Sequence, residues 1–179
     1  NFDSPDYIKS PDEWISIPGS IEAIAQLSKA GHTIVIATNQ SGLGRGLYDR
    51  ATLQAIHQKM IDAVEALGGK IAKIYFCPHH PDKGYPEENP DFKIDCDCRK
   101  PKTGMINQAV AEYNIDIKSS WFIGDTTVDL QAGINAGMKT ILVKTGKGGE
   151  DKKFEVSPDL VFDNIENAVD FIISNQRSL

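Results

Sequence analysis

The six residues at 96–101, Cys-Asp-Cys-Arg-Lys-Pro, constrain the fold of this chain more than any other stretch. Two thiols separated by one residue cannot close an ordinary disulfide with each other, but they can bind the same metal ion. Arg99 and Lys100 follow as adjacent cations. Pro101 fixes its backbone φ angle and lacks an N–H, which suits the start of a helix. A metal-bound loop that ends in two fixed cations predicts a binding site for an anion.

Further metal ligands lie upstream in the same irregular segment, residues 77–100. Cys77-Pro78-His79 and Cys96-Asp97-Cys98 together supply three thiolates and one imidazole, a ligand set that zinc prefers. Four protein ligands would close a tetrahedron and leave no open position, so we expect a structural zinc site. The competing interpretation is three free cysteines beside surface histidines, which fits poorly with so many metal ligands in one loop. The predicted ligands are Cys77, His79, Cys96 and Cys98, with His80 as the alternative imidazole.

The composition is typical of one globular domain over residues 1–179, with 40% hydrophobic and 25% charged residues. A net charge of −6 argues against binding to nucleic acid or to an anionic membrane. We see no apolar run near the ~20 residues needed to cross a bilayer, and no signal peptide. An odd number of cysteines favours a reducing compartment, so we expect a cytoplasmic protein and a monomer. His32 and His57 are expected to be ordinary surface or partly buried residues.

Hydrophobic periodicity divides the chain into alternating strands and helices. Continuous β-branched runs such as residues 33–38 are typical of strands buried on both faces, as in a parallel sheet. The predicted fold class is therefore α/β, a Rossmann-like three-layer sandwich with a mainly parallel central sheet, a zinc-binding loop and no large cap domain. The predicted helices are 20–30, 49–67, 103–113, 127–136 and 165–174; the predicted strands are 33–38, 71–76, 120–125, 140–143 and 160–162, and a polar loop covers 144–158.

Polar residues follow the first predicted strand at the end where an open parallel sheet binds its ligands. Thr38, Asn39, Gln40 and Ser41 offer hydroxyl, amide and loop N–H groups suited to phosphate oxygens. Lys100 would neutralise the charge of a phosphoryl group. Taken singly, Thr38 could merely cap the helix that follows. Together with the adjacent cations of the 96–101 loop, these residues favour a phosphate site.

A carboxylate ends another predicted strand, at Asp125. Asp129 follows one helical turn further on. A carboxylate at a strand end with no cationic neighbour in sequence is a candidate Mg²⁺ ligand. Asp125 could also be a helix cap, but its position beside the predicted phosphate site favours magnesium.

Four motifs in this chain resemble the haloacid dehalogenase superfamily of phosphatases, and more narrowly its zinc-containing D-glycero-D-manno-heptose-1,7-bisphosphate 7-phosphatases. They are Ala-Thr-Asn-Gln-Ser-Gly, Cys-x-His, Cys-x-Cys-Arg-Lys-Pro and Ile-Gly-Asp-x-x-x-Asp, and the resemblance covers nearly the whole chain. It implies a Mg²⁺-dependent phosphomonoesterase with a structural Zn²⁺. The implied reaction removes the C7 phosphate of a small phosphorylated sugar during ADP-heptose and lipopolysaccharide core precursor synthesis.

The resemblance also implies roles for individual residues. Thr38 and Lys100 bind and stabilise the transferring phosphoryl group, and Asp125 binds Mg²⁺ with Asp129 in support. Thr126 stands where some members of the family carry a lysine that contacts substrate. Substrate binding is implied for Asp3, Ser4, Asp6, Tyr7, Asn39, Gln40, Ser41, Arg99 and Thr126.

The family's first motif, Asp-x-Asp-Gly-[Thr/Val]-[Ile/Leu], is expected immediately before Asn1. It supplies the nucleophilic aspartate and the aspartate that acts as acid and base. In the family's sheet order its strand lies between the strands that end at Thr38 and Asp125. Without that strand, N–H and C=O groups of both neighbours are left unpaired. We therefore expect the sequence to be a shortened copy of a longer native chain.

Two other functions remain open at this stage. Histidinol-phosphate phosphatases form a related zinc-loop group, but they tend to carry Asp at the position of Ser41 and to lack Arg45. The other alternative is a zinc-stabilised binding module that has lost its nucleophile. The residues upstream of Asn1 would distinguish an enzyme from a binding module.

Overall fold

Strands and helices alternate along the chain, and each described strand is parallel to its partner. The computed structural model describes residues 1–2, 7–80 and 89–176. The described helices include none long and apolar enough to span a membrane. The strands are β1 Val35–Asn39, β2 Lys73–Cys77, β3 Trp121–Gly124, β4 Lys139–Val143 and β5 Leu160–Phe162; the helices are α1 Ser20–Lys29, α2 Ser41–Gly44, α3 Arg50–Glu65, α4 Gly104–Tyr113, α5 Thr127–Ala136 and α6 Ile165–Gln176.

The predicted α/β class with parallel pairing is confirmed, and two short features were not predicted. The glycine-punctuated loop after β1 contains the four-residue helix α2. Two single turns of 3₁₀ helix occur at Pro90–Phe92 and Ile117–Ser119. Such short turns carry too few residues to produce a periodic pattern in sequence.

The strands form two parallel sheets rather than one continuous sheet. One sheet pairs β1 with β2, and the other has the order β3-β4-β5. Within the described residues, no ladder joins β1 to β3. We call the space between these two strands the slot.

Alternate residues of a strand direct their backbone groups to opposite neighbours. The carbonyl of Ile34 and the N–H of Gln40 both form hydrogen bonds with the β2 side. Ala37 lies an odd number of residues from each of them, so its backbone groups point the other way, into the slot. The carbonyl of Ala37 accepts a hydrogen bond from Lys100 Nζ at 2.8 Å. The same ammonium lies 5.9 Å from the ring centroid of Phe122 in β3. Lys100 therefore extends from one edge of the slot towards the other.

Helices cover both faces of the sheets and make a three-layer arrangement. On one face, α1 and α3 pack over β1 and β2, and α6 packs over the other sheet. On the opposite face, α4 packs over β1 and β2, and α5 packs over β3 and β4. The apolar contacts of α1 join the two halves, because it packs against both α3 and α6. Its Ile21 and Ala25 enter one core cluster and its Ala23 enters another.

His57 differs from its sequence prediction, because it is buried rather than at or near the surface. It lies on α3, is 8% exposed, and packs edge-on against the ring of Phe76. Its Nε2 makes no hydrogen bond within the described residues. Burial lowers the pKa of His57 from its ordinary value of 6.5. The sequence predicts a helix over 49–67 that includes this position, but an imidazole adds no signal to a pattern of apolar residues, so the prediction was only an ordinary surface or partly buried residue.

The lowered pKa of His57 predicts a loss of stability in mild acid. Below about pH 6.5 the unfolded chain binds a proton at His57 that the folded chain does not bind. The free energy of unfolding should therefore fall between pH 7.5 and 5.5, by about 1 kcal/mol from this group. A His57→Leu variant should lack this component, and His32→Gln should retain it. Denaturant unfolding at both pH values measures the difference, and an equal loss in His57→Leu and the unsubstituted protein would contradict it.

Candidate active site and metal centre

The four predicted zinc ligands lie together at the end of β2. The Cys98 sulfur is 3.1 Å from Cys77 Sγ, 3.4 Å from Cys96 Sγ and 3.2 Å from His79 Nδ1. Cys77 Sγ is also 3.6 Å from both Cys96 Sγ and His79 Nδ1. All four ligand atoms lie within 4.8 Å of one another. A tetrahedral zinc site with Zn–S bonds of ~2.3 Å has S···S edges of about 3.7 Å, so the cluster is close to that size.

The chemistry of the cluster fits a divalent metal. Burial raises the pKa of the Cys77 thiol well above its ordinary range, and a hydrogen bond with Cys98 adds to the effect. A thiol in this position would stay protonated without a compensating positive charge. Zinc supplies that charge and binds thiols as thiolates. The cluster packs against Met105 and Ala109 of α4, so a bound metal would join β2 to the loop that precedes α4.

The alternative imidazole, His80, lies in a different environment. Its Nε2 contacts the guanidinium of Arg45, which in turn donates to the hydroxyl of Tyr7. Tyr7 OH also lies 3.5 Å from Ser41 Oγ. His80 therefore belongs to a polar cluster next to the β1 loop, and the fourth position of the metal cluster is occupied by His79.

Arg99 and Lys100 are held in place by groups on two sides. The guanidinium of Arg99 donates to the carbonyl of His79 at 3.0 Å, which connects Arg99 to the loop that carries the metal ligands, here called the metal loop. The side chain of Asn39 bonds both backbone groups of Lys100: Oδ1 accepts from its N–H at 3.0 Å and Nδ2 donates to its carbonyl at 3.2 Å. Asn39, a predicted substrate-binding residue, thus connects the end of β1 to the loop that carries Arg99 and Lys100.

The ammonium of Lys100 forms a buried ion pair with Asp129. The distance from Nζ to Oδ1 is 2.6 Å, and the two side chains are 13% and 10% exposed. The other oxygen of Asp129 accepts from the N–H and hydroxyl of Thr126. Thr126 in return accepts from the Asp129 N–H, which completes a capping box at the start of α5. Both carboxylate oxygens of Asp129 are therefore engaged.

Asp125 is the carboxylate at this edge that is free to bind a cation. Its Oδ2 accepts a hydrogen bond from the Lys147 N–H at 2.8 Å. Burial raises the pKa of the Asp125 carboxyl, with the charge of Asp129 acting in the same direction and the Lys147 N–H opposing it. A partly buried carboxylate beside a second one is stabilised by a divalent cation, so the residues present fit a Mg²⁺ ligand site.

The loop after β4 encloses Asp125, and the sequence prediction treated it only as part of a polar loop. Besides the Lys147 bond, the Gly149 N–H donates to the Asp125 carbonyl at 2.8 Å. Gly146 has a φ of +75°, and a Cβ placed on it would overlap Oδ2 and lie 2.9 Å from Cγ of Asp125. Residue types do not reveal which backbone N–H groups act as donors. The feature of the sequence that could have indicated this loop is its group of glycines soon after a buried strand.

The remaining predicted residues are placed as follows. Thr38 Oγ1 accepts from Gln40 Nε2 at 3.1 Å, at the end of β1. Asp3, Ser4 and Asp6 lie outside the described residues.

Comparison with known proteins shows one consistent similarity. A family model described as HAD-hydrolase-like matches residues 97–168. A D-glycero-beta-D-manno-heptose-1,7-bisphosphate 7-phosphatase from Pseudomonas putida is 46% identical over 166 residues, which cover 92% of this chain and 89% of the relative. A crystal structure of D,D-heptose 1,7-bisphosphate phosphatase from B. bronchiseptica, complexed with magnesium and phosphate, is 41% identical with a TM-score of 0.85, covering 98% of this chain and 93% of that one. The Burkholderia thailandensis phosphatase of the same name is 37% identical with a TM-score of 0.66, covering 94% of both chains.

Because His79 lies in the metal cluster and His80 does not, substituting the two histidines should have different effects on zinc binding. His79→Gln should lower zinc affinity by more than roughly tenfold, since even partners that only orient a ligand contribute that much. His80→Gln, the matched control, should keep about one zinc per chain. Competition with a chromogenic chelator measures the affinity, and amide hydrogen exchange of 96–101 should accelerate only in His79→Gln. Zinc loss from His80→Gln equal to that from His79→Gln would contradict the assignment.

The contact between Gly146 and Asp125 predicts a specific effect on magnesium. Gly146→Ala should weaken Mg²⁺ binding by displacing the Asp125 carboxylate. Gly68 has the same φ of +75° with only the Lys29 side chain near, at 3.9 Å, so Gly68→Ala introduces the same backbone strain, roughly 1–2 kcal/mol, without a clash. Titration calorimetry with Mg²⁺ compares the two, and Asp125→Asn gives the limiting loss. Equal Mg²⁺ affinity in both alanine variants would show that the loop does not orient Asp125.

Proposed function

The chain belongs to the D-glycero-beta-D-manno-heptose-1,7-bisphosphate 7-phosphatases, a family of HAD-like hydrolases, and we propose that it removes the C7 phosphate of D-glycero-D-manno-heptose 1,7-bisphosphate. The observation that carries the proposal is the meeting of three groups around the slot. Thr38 is the penultimate residue of β1, Asp125 follows β3, and Lys100 lies between these strands. This combination provides a hydroxyl donor, a cation and a metal-binding carboxylate for one phosphoryl group.

Each residue has a separate part in phosphoryl transfer. The hydroxyl of Thr38 and the ammonium of Lys100 bind the non-bridging oxygens of the transferring phosphoryl group. Asp125 holds Mg²⁺, which when bound neutralises charge on the phosphoryl group. Asp129 holds the Lys100 ammonium in place through the buried ion pair, and Thr126 fixes Asp129.

The slot is the proposed location of the nucleophile. The described carboxylates near it are already engaged: Asp125 faces the metal position, Asp129 binds Lys100, and Asp151 binds the N–H and hydroxyl of Thr127. We infer that a strand preceding Asn1 in the native chain fills the slot and ends in the Asp-x-Asp motif. Support comes from Ala37 of β1, which faces the slot, and from the lack of a ladder between β1 and β3 within the described residues.

The proposed reaction has two steps. An oxygen of the first aspartate forms a bond to phosphorus, the bond from phosphorus to the C7 oxygen breaks, and the second aspartate gives that oxygen a proton. Water, deprotonated by the second aspartate, then cleaves the aspartyl-phosphate and releases inorganic phosphate. The enzyme is thus a hydrolase that acts on a phosphomonoester.

Substrate recognition is assigned to residues around the same edge. Arg99, held by the metal loop, faces the anionic sugar phosphate, and Ser41 with Tyr7 lies on the side of the β1 loop. Gln40 and Asn39 orient Thr38 and Lys100 respectively. The implied contacts of Asp3, Ser4 and Asp6 are part of the proposal. Because the relatives are named for the beta anomer, we infer the same preference here.

Zinc has a structural part in this proposal. The ligands Cys96 and Cys98 directly precede Arg99 and Lys100, so the metal fixes the loop that carries both cations. All four ligand positions are protein atoms, which leaves no position for substrate. The three thiols in one metal cluster also suit a reducing compartment. We therefore propose that the protein is cytoplasmic. We also propose that it is a monomer and that its product is a lipopolysaccharide precursor.

The first test measures substrate preference. With its native N-terminus and Mg²⁺, the enzyme should release one phosphate from heptose 1,7-bisphosphate and leave the 1-phosphate intact. The kcat/KM should exceed that for histidinol phosphate by at least 100-fold, about 2.7 kcal/mol of transition-state binding. The alpha and beta anomers are assayed separately, and Asp125→Asn controls for contaminating phosphatases. A preference for histidinol phosphate would replace the proposed substrate with the related alternative.

The second test concerns the slot. The 179-residue chain should release no phosphate above the Asp125→Asn background. Adding the native upstream strand, about 10 residues with the Asp-x-Asp motif, should restore turnover. A third form, with the first aspartate of that motif changed to Asn, should be inactive although equally stable. Full activity from the 179-residue chain would contradict both the missing nucleophile and the proposed mechanism.

A further inference from the structure

We propose that Tyr48 is a positioning residue that directs the hydroxyl proton of Thr38 towards the phosphoryl group. Tyr48 acts through the side-chain amide of Gln40, which lies between them. This inference rests on the proposed function, because it takes Thr38 to contact the transferring phosphoryl group.

The three side chains form a chain of two hydrogen bonds. The hydroxyl of Tyr48 donates to Gln40 Oε1 at 2.7 Å, and Gln40 Nε2 donates to Thr38 Oγ1 at 3.1 Å. The backbone of Gln40 is anchored separately, since its N–H donates to the carbonyl of Cys77 at 2.8 Å. The side-chain amide of Gln40 is therefore held at both its oxygen and its nitrogen, and the backbone of the residue is held by β2.

The direction of these bonds decides what Thr38 can donate to. A threonine hydroxyl has one proton and two lone pairs. When an amide N–H donates to Oγ1, the proton of Thr38 is left for another acceptor, and a phosphoryl oxygen is a strong one. If the amide turned over, its oxygen would face Thr38 and accept that proton. The phenol of Tyr48 disfavours the turn, because its buried O–H would then lose Gln40 Oε1 as the acceptor of its proton.

The position of Tyr48 suits a fixed donor. The side chain is 9% exposed and packs with Leu43 and Leu53. Burial raises the pKa of Tyr48 to about 12, so the phenol keeps its proton at neutral pH. A Cβ on Gly42 would lie 2.9 Å from the phenol oxygen, so the glycine gives the ring its room.

A double-mutant cycle in the enzyme with its native N-terminus tests the link. Tyr48→Phe keeps the ring and removes the donor, and it should lower kcat two- to tenfold, as expected for one hydrogen bond, with KM changed less than twofold. In the Thr38→Val background, Tyr48→Phe should change kcat by less than twofold, because the end of the chain is gone. The same loss of effect is expected in a Gln40→Met background. Tyr113→Phe, which removes a phenol bond to the Ala72 carbonyl on the β2 side of the molecule, is the matched control and should leave kcat unchanged.

Each outcome supports or overturns the proposal. An unchanged kcat in Tyr48→Phe overturns it. The same fold-loss with and without Thr38→Val also overturns it, because Tyr48 would then act independently of Thr38. If Tyr48→Phe lowers the melting temperature more than Tyr113→Phe, the assays are made below both transitions, where only folded enzyme is compared. If Thr38→Val alone leaves kcat unchanged, the proposed role of Thr38 fails, and this result is distinct from a failure of the link to Tyr48.

Discussion

The buried ion pair between Lys100 and Asp129 is the contact on which the arrangement of the site depends. It joins a loop packed on one sheet to a helix packed on the other. Removing one partner of such a pair leaves an uncompensated buried charge, at a cost of roughly 3–5 kcal/mol. The ammonium satisfies part of its remaining capacity with the Ala37 carbonyl, and Asp129 satisfies its second oxygen with Thr126. A buried charge pair is costly to form, and these hydrogen bonds offset part of that cost.

The metal cluster and the ion pair are parts of one structure because two cysteines of the cluster, Cys96 and Cys98, lie within four residues of Lys100. Cys96 and Cys98 fix the backbone from one side, and the Asn39 amide fixes Lys100 from the other. Arg99 is connected to the same cluster through the carbonyl of His79. The positions of Arg99 and Lys100 are therefore set by their short covalent connection to Cys96 and Cys98 and by the side chain of Asn39. A lysine on an unsupported loop would lose much more side-chain and backbone freedom on binding an anion.

Much of this arrangement could be predicted from sequence, because its signals are local. Zinc ligands and cations share one hexapeptide, and the alternation of β-branched runs with amphipathic segments predicted the parallel α/β fold. Other features depend on distant contacts. The choice of His79 over His80 follows from which side of the chain faces Arg45, a residue 35 positions away from His80. The burial of His57 depends on its packing against Phe76, and the amides around Asp125 come from a loop that begins about 20 residues later. Periodicity and residue type contain no information about such pairs.

The loop around Asp125 has a consequence for how mutational data on this enzyme would be interpreted. The Lys147 N–H donates to the carboxylate of Asp125 and the Gly149 N–H donates to its backbone carbonyl, and any residue except proline retains such a group. An alanine substitution at position 147 would therefore keep this donor, and its effect would report only the loss of the lysine side chain. The backbone angle at Gly146 helps to set where the donor stands against Asp125, so a scan of side chains along this loop would not measure the contact that the backbone makes.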